Sequence, residues 1–168
     1  MGTMLAGQGV EALYVSLAHN DLFAIGLNCA TGPDFMTDHI RTLAKLSRFP
    51  VPCMPNAGLP DEEGHYNETP QMIASKLERF VDQGWVNMLG GCCGTTPEHL
   101  QLLSQMLVGK KPRLVQAPRR SVVSGLEPLV IDEDKRPVLV GERTNVIGSR
   151  KFKELIIAGA FEEGTEIG

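Results

Sequence analysis

Short, unbroken apolar runs alternate along the first two thirds of the chain with longer stretches that carry helix signals. The apolar runs lie at residues 22–28, 51–54 and 85–89. A run of this kind, without polar alternation, is typical of a parallel strand buried on both faces. Apolar spacing and capping residues predict helices at residues 7–20, 33–47, 70–83 and 95–107. The alternation predicts an α/β fold with parallel strands and outer helices.

The ends of two predicted helices carry specific signals. Thr69 can cap the third helix, Pro70 suits its first position, and Gly84 stops it. Residues 95–98 have the spacing of a capping box at the start of the fourth helix. The polar residues 55–69 between the second strand and the third helix predict a long loop.

Composition and length narrow the class of protein. With 42% hydrophobic and 21% charged residues, the chain is neither disordered nor a membrane protein. Its 16 basic and 20 acidic residues argue against nucleic-acid binding. Residues 1–5 lack the features of a signal peptide, so we expect a cytoplasmic protein with reduced cysteines. The 168 residues are too few for a closed (β/α)₈ barrel, which takes about 250.

The composition changes after the fourth helix. Residues 110–137 combine prolines, basic residues and an acidic turn, which predicts a solvated interdomain linker. A strand at residues 138–140 and a helix at 150–158 then begin a new unit. We therefore predict one domain at residues 1–109, the linker at 110–137 and the start of a second domain at 138–168.

Three cysteines stand where predicted strands end. Cys29 follows the first strand, and Cys92 and Cys93 follow the third. Active sites of α/β folds lie at the carboxyl ends of parallel strands. Strands separated by one neighbour are about 10 Å apart, a gap that inward-tilted side chains of a curved sheet can close. Three thiolates suit a zinc ion with an open fourth position, the pattern of a catalytic site.

Other interpretations of these residues remain open at this point. A cysteine at a strand end is commonly a small buried hydrophobic residue. The glycine-rich loop at residues 90–94 could cradle phosphate, although it lacks a P-loop pattern. Cys53 also lies at a strand end, where a packed thiol is favoured over a fourth metal ligand. A scaffold with redox-active cysteines is a further alternative.

The cysteine motifs resemble those of a known enzyme family. Asn28-Cys29, the Pro-Asn-Ala-Gly run at residues 55–58 and the Gly-Gly-Cys-Cys-Gly motif at 90–94 are similar to the zinc-binding homocysteine methyltransferase domain. Residues 124–129, 140–145 and 148–152 resemble the linker and opening strand of a pterin-binding folate domain. This order of domains is that of the cobalamin-dependent methionine synthases.

The resemblance implies a fold, a reaction and its cofactors. The fold would be part of a (β/α)₈ barrel followed by the first βα unit of a second, pterin-binding barrel. Cys29, Cys92 and Cys93 would hold Zn²⁺, and homocysteine would receive a methyl group from methylcobalamin, itself remethylated by methyltetrahydrofolate. Asn145 and Glu142 match positions at the folate site, where an amide suits a pterin edge. Both could instead only shape a turn.

The resemblance also implies that much of each barrel is missing. We count three strands of one barrel and one of the next, and we expect a fragment whose partners are the remaining domains of a longer protein. An open part-barrel exposes strand edges and apolar surface, so we expect the isolated chain to bind zinc weakly and turn over little. A homocysteine methyltransferase with another donor, such as betaine, is the alternative enzyme.

Overall fold

The chain divides into two compact units, Met1–Ile131 and Asp132–Gly168. A computed structural model describes residues 2–116, 120–138 and 144–167. Among these residues no helix is both long enough and apolar enough to cross a membrane. Each unit is described by itself below.

The first unit alternates helices with short strands. Its elements in chain order are α1 (Val10–Leu17), β1 (Leu27–Asn28), α2 (Pro33–Leu46), β2 (Pro52–Met54), α3 (Pro70–Asp82), β3 (Met88–Leu89), α4 (Pro97–Met106), β4 (Val122–Ser124) and β5 (Pro128–Val130). The first three strands form a parallel sheet in the order β1-β2-β3, and a helix follows each of them. The predicted α/β class is therefore confirmed, as a small parallel sheet with several helices.

The strands are shorter than the apolar runs predict because side chains and close contacts replace part of the ladder. The Asn87 side chain accepts the backbone N–H of Val51 at 2.9 Å, where a neighbouring strand would offer a carbonyl. Gly26 lies so close to Pro52 that a Cβ on it would stand 2.0 Å from the Pro52 carbonyl oxygen. The paired register joins Leu27 to Cys53 and Cys53 to Leu89.

The core lies between the sheet and the helices α2, α3 and α4. Ile40, Leu43, Leu77 and Phe80 are completely buried within it. These residues recur at helical spacing, so each helix buries one stripe, as amphipathic helices do. Phe35 of α2 does not belong to this buried stripe. It is 61% exposed, and the neighbouring Met36 fills the core instead.

The helix ends follow the predicted signals with one change. Thr69 accepts the backbone N–H of Met72 at 3.3 Å, and Gly84 takes a left-handed φ of 65° after α3. At α4 the capping box pairs Thr96 with His99, one residue later than the predicted Thr95–Glu98 spacing. His99 Nδ1 accepts the Thr96 N–H at 3.2 Å, so the proton on Nε2 can be donated to the Glu68 carbonyl at 2.9 Å.

Residues of the predicted linker take part in the first unit. The guanidinium of Arg113 is 4% exposed and donates to the carbonyls of Ala44, Ser47 and Phe49 at the end of α2. The antiparallel β4–β5 hairpin contacts α1. The predicted linker did not include this structure. A basic, proline-containing stretch does not show that one of its arginines will bond to buried carbonyls.

In the second unit, the described residues form a 3₁₀ turn at Glu133–Lys135 and the helices α5 (Arg150–Ala158) and α6 (Phe161–Thr165). Ser149 caps α5 by accepting the Phe152 N–H at 3.3 Å, and Gly159 ends it with a φ of 73°. The predicted helix at residues 150–158 is confirmed. Most of the predicted strand at 138–140 lies outside the described residues.

Candidate metal centre

Cys29 stands at the carboxyl end of β1 in an unusual backbone conformation. Its φ is 60° and that of Ala30 is 63°, the left-handed region that non-glycine residues rarely adopt. The Cys29 N–H donates to the Met54 carbonyl at 3.0 Å, which ties the residue to β2. Left-handed outliers of this kind concentrate at functional sites.

Cys92 and Cys93 follow β3 in a loop that leads directly into α4. The Cys92 N–H donates to the Pro55 carbonyl at 2.8 Å, and the Cys93 N–H donates to Oδ1 of Asn56 at 3.1 Å. Gly94 has a φ of 76°, and a Cβ on it would lie 2.3 Å from the Cβ of Tyr66. A glycine is therefore required directly after the paired cysteines.

The three cysteine sulfurs converge. Cys29 Sγ lies 3.6 Å from Cys93 Sγ, and Cys92 Sγ lies 3.9 Å from Cys93 Sγ. All three sulfurs lie within 4.8 Å of one another, and the three side chains are half-buried. A group of this size and composition can hold a metal ion. β2 lies between the two cysteine-bearing strands, so the sulfurs meet across it.

Cys29 and Cys93 differ in how readily their thiols lose a proton. The pKa of Cys29 is lowered, chiefly by the hydrogen bond from the Ala30 N–H and next by that from Cys93. The pKa of Cys93 is raised, chiefly by its hydrogen bond to Cys29. The two directions agree if Cys29 carries the thiolate and Cys93 keeps the proton that they share. One ligand is thus already biased toward the anionic form that metals bind.

Cys53 does not join the group. It lies within β2 rather than after it, is 0% exposed, and contacts Met36 through the two sulfurs at 3.9 Å. Burial raises the pKa of its thiol to about 12. The packed-thiol interpretation of Cys53 agrees with this environment.

The donor set suits zinc chemically. Thiolate sulfur is a soft ligand that Zn²⁺ binds readily, and three protein ligands leave a fourth position of a tetrahedral ion for substrate. Comparison with known families matches residues 1–107 to the family model named homocysteine S-methyltransferase. That match spans nearly two thirds of the 168 residues.

The chain belongs to the homocysteine S-methyltransferase family. Its members are methyltransferases that act on homocysteine and typically bind zinc. The matched residues include β1, β2 and β3 and all three clustered cysteines. The family match therefore covers the whole sulfur group that could hold a metal.

The two predicted folate contacts fall in the second unit. Glu142 lies outside the described residues. Asn145 is exposed, and its Oδ1 accepts the backbone N–H of Gly148 while its carbonyl accepts the Ser149 N–H at 3.0 Å. These bonds shape the turn before α5. Its contact with a pterin remains a prediction.

Asn56 and Tyr66 contact the sulfur group, yet sequence reasoning assigned them no role at the site. Oδ1 of Asn56 accepts the Cys93 N–H at 3.1 Å, and hydrogen bonding with Cys93 raises the pKa of Tyr66. Asn56 follows the end of β2, just as the clustered cysteines follow the ends of β1 and β3. This placement was the feature of the sequence that could have identified Asn56 as a neighbour of the cysteines. Tyr66 lies twelve residues after the end of β2. Sequence spacing does not show that so long a loop returns to the end of the sheet where the cysteines lie.

Proposed function

We propose that Cys29, Cys92 and Cys93 bind one zinc ion and that the site activates the thiol of homocysteine for methylation to methionine. The observation that supports this is the convergence of three sulfurs within 4.8 Å in a chain of the homocysteine S-methyltransferase family. When bound, zinc would act as a Lewis acid that lowers the pKa of a thiol in the fourth position.

The residues of the chain set the properties of this site. Three thiolates around a divalent cation leave a net charge of about −1, so the incoming sulfur stays electron-rich. The lowered pKa of Cys29 supplies one ligand that loses its proton at modest cost, whereas the raised pKa of Cys93 makes its proton costlier to remove. The half-buried position of the group leaves one side open to homocysteine. In the transfer itself, the homocysteine sulfur forms the new S–CH₃ bond while the bond between methyl and donor breaks.

We further propose that the methyl donor is methylcobalamin, which methyltetrahydrofolate regenerates, as in cobalamin-dependent methionine synthases. The support is the resemblance of residues 140–145 and 148–152 to the opening of a folate domain. Glu142 and Asn145 would then contact the pterin, and the other domains of such a protein would be the partners of this chain.

We also propose that β1, β2 and β3 belong to a (β/α)₈ barrel and that residues 138–168 begin a second one. The parallel order of the three strands, each followed by a helix, supports the first part. A reducing compartment such as the cytoplasm would keep the four free cysteines available.

Metal content and thiol ionisation test this function directly. We expect the full chain to bind zinc weakly, approaching about one ion per molecule only in excess zinc, and a Cys92→Ser variant to lose most of this binding. Adding homocysteine to the zinc-loaded chain should release one proton per site, measured by calorimetry in buffers of different ionisation enthalpy. Cys53→Ser is the matched control and should keep both properties, because Cys53 lies outside the group.

The donor is tested with the same proteins. Methionine formed from methylcobalamin, faster than with Cys92→Ser, supports the cobalamin proposal even if the rate is low. Methionine formed from betaine instead would contradict it. Thiols that react equally fast with and without zinc would contradict the metal site and favour the redox alternative.

A further inference from the structure

The β2–α3 loop, residues 55–69, is bonded to the paired-cysteine loop through its backbone. Near its start, the Ala57 N–H donates to the Cys93 carbonyl at 2.9 Å. Near its end, the Glu68 N–H donates to the Ala57 carbonyl at 3.2 Å. A path of hydrogen bonds therefore leads from Cys93 through Ala57 to Glu68, the residue that precedes the N-cap of α3.

His99 closes this path from the side of α4. It is 5% exposed, its Nδ1 accepts the Thr96 N–H at 3.2 Å, and its Nε2 lies 2.9 Å from the Glu68 carbonyl oxygen. A backbone N–H only donates and a carbonyl only accepts, so the neutral ring with its proton on Nε2 makes both bonds. Thr96, the N-cap of α4, lies three residues after Cys93. The bonds thus form a closed ring through the cysteine loop, the β2–α3 loop and the first turn of α4.

The side chain of Glu68 extends this ring toward the other cysteine turn. Its Oε1 lies 2.7 Å from Nζ of Lys76, and the same ammonium lies 2.7 Å from Oδ2 of Asp34. Asp34 is in the first turn of α2, the helix that follows Cys29. The side chains of Lys76 and Glu68 are 25% and 20% exposed, so salt screens their pair less than it screens an exposed pair. Glu68 therefore links the helix after Cys29 with the helix after Cys93.

The Glu68 carboxylate occupies this place at a cost. Its Oε2 is buried and has no hydrogen-bond partner among the residues that the structure describes. A buried polar atom without a partner is destabilising. The side chain also lies against Gly58, which has a φ of 91° and on which a Cβ would lie 2.7 Å from Cγ of Glu68. Folding stability alone therefore gives no reason for a carboxylate at this position.

We propose that His99 and Glu68 are positioning residues that hold the paired-cysteine loop against the turn of Cys29, so that the sulfurs stay together without a metal. The sulfurs of Cys29 and Cys93 lie 3.6 Å apart on separate loops. Thiolates repel each other, so other contacts must keep the two loops in place. A group held in its bound arrangement loses less conformational entropy when an ion binds. The bearing of this role on methyl transfer rests on the proposed function.

Cross-linking of the metal-free full chain measures whether the sulfurs stay together. Dibromobimane joins two thiols only when their sulfurs lie close together, and each thiolate displaces one bromide from the reagent. In a Cys92→Ser background, Cys29 and Cys93 are the clustered thiols that remain. Mass spectrometry of peptides gives the ratio of cross-linked to singly modified chains, which corrects for a change in the reactivity of the first thiol. With His99 and Glu68 in place, most modified chains should be cross-linked.

Three substitutions of His99 separate the ring of hydrogen bonds from the cap of α4. His99→Ala removes both bonds and should lose most of the cross-linked product. His99→Glu keeps the acceptor of a capping box, but its carboxylate has no proton for the Glu68 carbonyl, so the product should fall as well. His99→Gln offers a donor and an acceptor and should restore most of the product. A role in capping alone would leave His99→Glu unchanged. His39→Gln, on α2, is the control and should have no effect.

A second pair of variants tests the side chain of Glu68 and does not depend on how the His99 variants fold. Lys76→Met removes the ammonium that joins Glu68 to α2, and the cross-linked fraction should fall. Lys110→Met is the matched control. Lys110 also bridges two carboxylates, Glu78 at 2.9 Å and Asp82 at 2.6 Å, and its side chain is 28% exposed. Its substitution should leave the cross-linked fraction unchanged. Circular dichroism checks the fold of every variant.

The protonated nitrogen of His99 is a direct check of the ring. In an NMR spectrum of the ¹⁵N-labelled chain at neutral pH, we expect the proton on Nε2. A proton on Nδ1 would leave Nε2 nothing to donate to the Glu68 carbonyl and would overturn the role of His99.

The outcomes separate this inference from the proposed function, because no metal is present during cross-linking. If the cross-linked fraction stays high in folded His99→Ala, His99→Glu and Lys76→Met, the positioning role is overturned, even if the chain binds zinc. A fall in these variants that is absent from their controls supports the role, even if the chain binds no zinc. A fall confined to the His99 variants, or to Lys76→Met, supports the role of His99 or of Glu68 alone and overturns the other.

Discussion

The four cysteines of this chain have environments that differ by residue, although all were placed near strand ends. Cys29 has a φ of 60°, and its pKa is lowered chiefly by the backbone N–H of the next residue, Ala30. Cys93 shares a proton with it at a sulfur separation of 3.6 Å. Cys53 is completely buried beside Met36. Local backbone geometry and burial therefore decide which thiols can ionise and bind.

These differences predict a pattern of alkylation. At about pH 8, with metal removed by a chelator, iodoacetamide should modify Cys29, Cys92 and Cys93 and leave Cys53 intact. The reason is that burial raises the pKa of Cys53 to about 12, so almost none of it is thiolate, and the reagent has no path to it. Peptide mass spectrometry gives the extent of modification at each site.

Unfolding in urea supplies the control, because it should make Cys53 react like the others. Zinc should slow the alkylation of Cys29, Cys92 and Cys93 in the folded chain. Four equally reactive thiols in the folded, metal-free chain would contradict the assignment.

At the residue scale the sequence was sufficient to predict that three cysteines cluster, but not to predict their neighbours. The convergence of Cys29, Cys92 and Cys93 could be predicted because strand ends of a parallel sheet share one edge. The left-handed conformation of Cys29 and the reach of Tyr66 could not be predicted. Both depend on how a loop closes against another loop, and neither involves a local periodicity.

At the scale of elements, caps define where the helices begin. Thr69 accepts the Met72 N–H and precedes Pro70 at the start of α3, which buries Leu77 and Phe80 in the core. Since α3 follows the β2–α3 loop directly, its first turn also fixes the end of that loop.

We expect Thr69→Ala to lower the free energy of unfolding by about 1 kcal/mol, because one N–H of the first turn loses its acceptor. Urea denaturation followed by circular dichroism measures the change. Ser75→Ala is the matched control on the same helix. Ser75 is exposed within α3, so this substitution should be neutral or slightly stabilising. Equal effects of the two substitutions would show that the cap contributes nothing.

Some features of the helices and strands could be predicted from the hydrophobic pattern and the capping residues, and others could not. Helix ends at Thr69 and Gly84 were predicted because their signals are single residues with fixed geometry. Strand lengths were overestimated because the side chain of Asn87 replaces a ladder carbonyl at Val51. The capping box lies one residue later than predicted, because the His99 ring nitrogen accepts the Thr96 N–H.

At the scale of the whole chain, a metal at the sulfur group would join segments far apart in sequence. Cys29 and Cys93 are separated by 64 positions, and only the folded state brings their sulfurs together. A ligand that binds the folded state alone shifts the folding equilibrium.

We therefore expect zinc to stabilise the chain by about 2.7 kcal/mol when its free concentration is 100 times the dissociation constant. Differential scanning calorimetry with buffered zinc measures this as a rise in Tm. The gain should shrink as pH falls, because each ligand must lose a proton to bind. Cys92→Ser should abolish most of the gain, and Cys53→Ser should not. A rise in Tm of equal size in Cys92→Ser would place the zinc elsewhere.

The whole chain was harder to predict than its parts. The family match ends at residue 107, whereas the first compact unit continues to Ile131. The extension depends on Arg113 finding three carbonyls near the end of α2 and on a hairpin contacting α1. Such long-range contacts leave no trace in hydrophobic spacing.

The position of β2 in the middle of the sheet has a consequence for how the surroundings of the cysteines can evolve. Replacing any of the three clustered cysteines removes a sulfur from the group. The loop after β2 supplies no clustered sulfur, yet it bonds to both cysteine loops through Asn56 and Ala57. Substitutions in this one segment can therefore change the surroundings of the group while all three sulfurs are retained.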